Sequence, residues 1–193
     1  MSELQKVQKG VSYVYYGLYL MVGSIFVAMV GGGTLVVLPI VGLALIAATP
    51  LMIIAGSVLS FIGRLKCLSV PDQCSATGVI YTAVVCDVIA IVISAASWFT
   101  ELPPLASSLN ALLTLTASIL FLIFLKKIAA FIRDSVSEKR SSNVLNLGIA
   151  TFVAMIIGIF FPPLIILAFV MMIVGFIIYV KLLISLKESL KTA

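Results

Sequence analysis

Six apolar runs of transmembrane length constrain this chain more than any other feature. They fall at about 13–30, 35–62, 77–99, 105–125, 144–161 and 164–183. A helix rises about 1.5 Å per residue and the hydrocarbon core of a bilayer is about 30 Å thick, so each run reaches across. With 63% of residues hydrophobic and 10% charged, no water-soluble fold could hide the apolar surface. The predicted fold class is all-α: a polytopic membrane protein of six transmembrane helices in three hairpins, forming one membrane domain over 1–193.

The basic residues set the topology. Lys6 and Lys9 precede the first run, Arg64 and Lys66 follow the second, and Lys126, Lys127, Arg133, Lys139 and Arg140 follow the fourth. Lys181, Lys187 and Lys191 close the sixth, while the connections at 31–34, 100–104 and 160–163 carry no Lys or Arg. All 12 basic residues therefore fall on one side, which the positive-inside rule makes cytoplasmic, with both termini inside and the chain in the cell inner (plasma) membrane. Tyr13, Tyr15, Tyr16, Tyr19, Tyr81 and Tyr179 cluster near the inner ends and Trp98 at an outer end, as interface residues do. The net charge of +5 reads as juxtamembrane charge facing anionic head groups, and not as a nucleic-acid surface. The first run is too long, and Ala28–Gly31 too poor a cleavage site, for a removed signal.

Local punctuation predicts where helices begin and end. Pro103-Pro104 and Pro162-Pro163 suit the first turns of spans four and six, where a missing N–H does no harm. Ser141, Ser142 and Asn143 are candidate caps for span five. The spacing of Ile128, Phe131, Ile132 and Val136 predicts that span four continues as helix past the membrane. Gly31-Gly32-Gly33 reads as a flexible external turn, since no Lys-Ser/Thr follows to make a phosphate loop. Pro50 predicts a kink in span two that frees the carbonyl of Ile46. Phe26–Val30 resembles Phe152–Ile156, and Leu51–Gly56 resembles Val170–Gly175, a faint parallel repeat.

The functional clue is Asp87, a carboxylate deep in the third run, where a charge is costly unless partnered, hydrated or protonated. Thr82, Ala83, Cys86, Asp87, Ala90, Ser94 and Ser97 share one helical face of span three, and Ser107, Asn110, Thr114, Ala117 and Ser118 share one of span four. Antiparallel packing predicts a polar seam pairing Ser97 with Ser107, Ser94 with Asn110, Ala90 with Thr114, and Asp87 with Ala117 or Ser118. That seam holds no Lys or Arg. Asp87 is then either protonated helix glue or a proton or cation site in a hydrated path.

Other chemistries are thin. With no histidine, the chain lacks His ligands for zinc or haem and cannot build a Ser-His-Asp or Cys-His system. Cys67 and Cys74 are placed in a cytoplasmic basic loop as reduced thiols, and Cys86 is a packing residue. The remaining carboxylates are scattered, so no metal centre, cofactor or enzyme activity is expected. The leading expectation is a membrane structural or accessory subunit, or scaffold, packing with partner membrane proteins or with itself. The alternative is a small transporter or channel using the seam around Asp87, Ser94, Ser97, Ser107, Asn110, Thr114 and Ser118.

Overall fold

A computed structural model describes residues 3–97, 99, 103–158, 161 and 163–192. It is all-helical, with α1 (Glu3–Leu35), α2 (Pro39–Cys67), α3 (Thr77–Ala96), α4 (Pro104–Phe131), α5 (Ser135–Gly158) and α6 (Pro163–Thr192). All six helices are long and apolar enough to cross a membrane. Pro39 and Pro104 stand in the first turns of α2 and α4, as proline's locked φ favours. The interface position expected of Trp98 and the helix start expected at Pro162 lie outside the described residues.

Several helices run beyond their apolar cores, and this alters the boundaries read from sequence. The turn expected at Gly31–Thr34 is helix instead: α1 continues to Leu35, and the Thr34 hydroxyl donates to the carbonyls of Val30 (2.9 Å) and Gly31 (3.1 Å). In lipid no water satisfies an open backbone, so even three consecutive glycines gain by helical hydrogen bonding. The chain turns at 36–38, where the Val37 and Leu38 N–H groups donate to the carbonyl of Thr34. Pro50 lies on an exposed face within an unbroken α2.

The most extensive helix contact joins α1 to α2, and its cause is a repeat of small residues. Gly10, Gly17, Ser24 and Gly31 recur every seven positions on α1, as do Gly42, Thr49, Gly56 and Gly63 on α2. A spacing of seven returns to one helical face about every two turns. The two stripes meet antiparallel. A Cβ on Gly10 would stand 2.6 Å from the carbonyl oxygen of Gly63, one on Gly17 would stand 2.5 Å from that of Gly56, and one on Gly42 would stand 2.5 Å from the Leu35 nitrogen. Backbone therefore packs on backbone, as small residues permit in membranes. Ser24 and Thr49 fit the stripe by turning their hydroxyls onto their own helices, to Met21 O (2.6 Å) and Leu45 O (3.2 Å).

Beyond this pair, α1 also touches α6, α6 packs on α5, α5 on α4 and α4 on α3, whereas α2 and α3 meet only sparsely. The helices thus follow one another around a ring that is tight everywhere except at the α2–α3 seam. A shared core lies at the end that carries the basic residues. Val7 and Val11, Cys67, Ile80, Phe121, Phe124, Ile128, Leu182, Leu183 and Leu186 are fully or almost fully buried there. Toward the other end most large side chains, among them Ile40, Leu43, Phe152 and Ile166, are exposed. The resemblance of Leu51–Gly56 to Val170–Gly175 does not extend to packing: Gly56 lies against the backbone of Gly17, while a Cβ on Gly175 would meet only the Leu147 side chain, at 3.3 Å.

Span four does not continue to Val136. It stops at Phe131, and the N–H groups of Arg133 and Asp134 return to the carbonyls of Ala130 and Ala129, which is a Schellman ending with Arg133 left-handed at φ 57°. Asp134 then caps α5 by accepting from the Ser137 N–H (3.0 Å), and it accepts the Ser189 hydroxyl of α6 at 2.7 Å. Ser141, expected to be a cap, instead donates from within α5 to Leu122 O of α4 at 2.9 Å. Partial burial works against charge on Asp134, but hydrogen bonds from the Ser137 side chain and backbone, from Ser189 and from the Val136 backbone outweigh it and hold the carboxyl below its ordinary 3.8.

Two measurements test this packing. Gly17→Ala should lower the stability of the detergent-solubilised protein by about 1–3 kcal/mol through overpacking. Gly33→Ala, where nothing lies within 4 Å, should be neutral or stabilising by up to about 1 kcal/mol; equal effects would refute the seam. A group with a depressed folded pKa stabilises above its unfolded value and loses that contribution as pH falls through the folded one. The wild type should therefore lose a component of stability as pH drops below 3.8 that Asp134→Asn lacks.

Candidate functional site: an ion pair in the α2–α3 seam

Asp87 sits midway along α3 and is already partnered. Arg64 Nη1 lies 2.7 Å from both Asp87 Oδ1 and Oδ2, and the side chains are 16% and 14% exposed. The sequence reading, in which no Lys or Arg reached the seam, is corrected by the length of α2. Because that helix runs to Cys67 instead of ending at 62, Arg64 belongs to the helix and not to the connection after it. Its guanidinium also stands 5.0 Å from the ring centroid of Phe121 on α4, a cation–π contact that strengthens as water is excluded. One arginine thus ties α2 to α3 and α4. Among the described residues its Nε is buried without a hydrogen-bond partner.

The predicted seam between α3 and α4 is partly assembled. Asn110 Nδ2 donates to Ser94 Oγ at 3.0 Å, the pairing expected from equal depth, and Ala83, Ala90 and Ala117 are buried between the helices. Other hydroxyls turn inward on their own helices: Ser97 to Ser94 O (2.7 Å), Thr114 to Asn110 O (2.9 Å) and Ser118 to Thr114 O (2.9 Å). Ser107 and Thr114 are exposed. The hydrogen-bonded part of the seam is therefore narrower than the residue pattern implied. Asn110 Oδ1 is buried with no partner among the described residues.

What the sequence did not reveal is a cavity of about 680 Å³ that reaches from this seam across to α2. Ile53, Ser57, Val58, Phe61 and Arg64 of α2 face Asp87, Ala90, Ile91 and Ser94 of α3 across it, with Thr114 and Ser118 of α4 and Met21 of α1 completing the wall. It lies where consecutive helices barely touch, and the ion pair forms its polar end. The size is within the about 300–1,000 Å³ of small-molecule sites, and the mixture of apolar walls with a few polar groups matches them too. Pro50, Ser97 and Ser107 do not line it.

Several lysines at the basic end make local contacts. Lys66 stands over Tyr13 at 4.3 Å and Lys187 over Tyr16 at 5.0 Å, while Lys127 Nζ donates to Ser75 O at 2.6 Å, tying α4 to the α2–α3 connection. The cysteines are not loop thiols on water. Cys67 closes α2 against Val7 O at 4.0 Å, and Cys74 is buried in a 3-10 turn over 72–74, where burial pushes its thiol up from 9.0. All three cysteines are free. Among the described residues no cluster of three or more His, Cys, Asp or Glu could hold a metal ion.

The pair should behave as a unit. Removing one partner strands a charge, so Asp87→Asn or Arg64→Gln should each destabilise by about 3–5 kcal/mol, whereas Arg64→Met/Asp87→Leu should lie within about 1 kcal/mol of wild type. Additive single effects in denaturation of the reconstituted protein would show that the two groups are not coupled.

Compared with protein-family models, with curated proteins and with solved structures, the chain matches none.

Proposed function

We propose that this chain is a small membrane protein of transporter type in which a solute binds in the α2–α3 cavity against the Arg64–Asp87 pair. The observation that carries the reading is the position of that cavity. It opens at the sparse contact of the ring, and it gathers Asp87, Ser94, Thr114 and Ser118 with a cation from another helix. A charged pair at membrane depth is kept at a cost, which favours a functional role. Pairing also changes the chemistry: Asp87 beside a guanidinium is not a bare proton or cation site, and the pair offers a neutral, donor-rich end.

A membrane structural or accessory subunit, packing with partners or copies, is the second reading. It is favoured by Gly32, Gly33, Gly78 and Gly148, where nothing lies within 4 Å of an added Cβ and another helix could approach closely. In both readings the helices form three hairpins with cytoplasmic termini in the inner (plasma) membrane, basic ends against anionic head groups. Neither reading gives the chain a catalytic step or a nucleic-acid partner.

A ligand screen by thermal unfolding separates them. A cavity ligand at about 100 times its Kd adds about 2.7 kcal/mol, a shift of several degrees. Ser57→Phe, which fills the cavity from an exposed position, should abolish that shift. The binding proposal fails if no solute stabilises the wild type, or if stabilisation survives in Ser57→Phe.

A further inference from the structure

Resting on that binding reading, we infer that the cavity takes a phospholipid from the bilayer, its head group held at Arg64 and an acyl chain lying along α3. The walls open sideways. Ile53, Ile54 and Val58 on the α2 lip are 45%, 55% and 51% exposed, and Ile91 on the α3 lip is 50% exposed, so the cavity faces the region that lipid occupies. At the basic end it is closed, because Ile80, Phe121 and Phe124 are at most 1% exposed. A ligand therefore arrives through the membrane and not from water at that end.

Depth and length agree with this occupant. Lys66, one short step along α2 from Arg64, sits over Tyr13, and paired tyrosine and lysine mark the level of head groups. From Asp87 to Ala95 the α3 wall spans about 12 Å, within the about 15 Å of one leaflet's hydrocarbon.

The polar chemistry is concentrated at one point. A guanidinium carries five N–H donors, and here Nη1 serves both Asp87 oxygens while Nε has no partner among the described residues. Ser57, Thr114 and Ser118 already donate to Ile53 O, Asn110 O and Thr114 O, so they present only oxygen to a ligand. The complementary molecule has one acceptor-rich end and a long apolar remainder. Phosphate and ester oxygens on an acyl chain meet both requirements. A free anion meets only the first, since it has no apolar part to lie against the mostly apolar wall.

Native mass spectrometry of the purified protein incubated with a phosphatidylethanolamine tests the assignment, with inorganic phosphate as the water-soluble control. One lipid should remain on the wild type, and its occupancy should fall about tenfold or more in Arg64→Gln and in Ser57→Phe. Ser57→Phe should melt as wild type does, so its loss of lipid would not be a loss of fold. A wild type that retains no lipid, or equal retention by Ser57→Phe, overturns the inference. Should phosphate or another soluble solute stabilise the wild type in a Ser57→Phe-sensitive way while lipid does not bind, the phospholipid assignment falls and the solute-binding proposal stands. If nothing binds, both fall.

Discussion

Apolar side chains gain no solvent-driven advantage from packing against each other when the solvent is itself hydrocarbon, and every helix contact in this protein answers to that constraint. What remains is close approach, hydrogen bonding and charge. The α1–α2 stripe supplies the first, with glycine on glycine at separations that admit no side chain. The Asn110–Ser94 bond and the Ser141–Leu122 bond supply the second between α3, α4 and α5. The Arg64–Asp87 pair supplies the third where neither of the others operates.

These three adhesives are not spread evenly. Backbone packing extends along α1 and α2, while the shared apolar core is confined to the basic end, where Val7, Cys67, Ile80, Phe124 and Leu186 meet. At the α2–α3 contact the ion pair stands almost alone, so the same interaction both closes the ring and limits how fully it closes. A paired charge binds strongly at one depth and does nothing a few turns away, which leaves room for the cavity above it.

Much of the frame was legible from sequence, because length and hydropathy alone demand six spanning helices. The Ser94–Asn110 contact was legible too, since equal depth across an antiparallel pair fixes it. Arg64 was misassigned because a charge is the natural place to end a predicted span, and only the helix's own hydrogen bonds carry it on to Cys67. The glycine stripe was present in the sequence as a spacing of seven, but Ser24 and Thr49 interrupt it by residue type without interrupting it by size. The break at 132–134 has no glycine or proline to announce it, as Arg133 takes the left-handed position itself. The cavity had no local signal, being a property of how far two helices stay apart.

The Arg64–Asp87 pair also bears on how the third helix is accommodated in a bilayer. Helices α1 and α2 precede α3 along the chain, and their glycine stripes join them through contacts that do not involve α3. Arg64, one turn from the end of α2, can extend its side chain toward the membrane surface. Asp87 follows on α3, where an aspartate without a partner opposes insertion. The guanidinium on the preceding helix offsets that cost once the pair forms, so α2 and α3 suit a bilayer better together than α3 does alone.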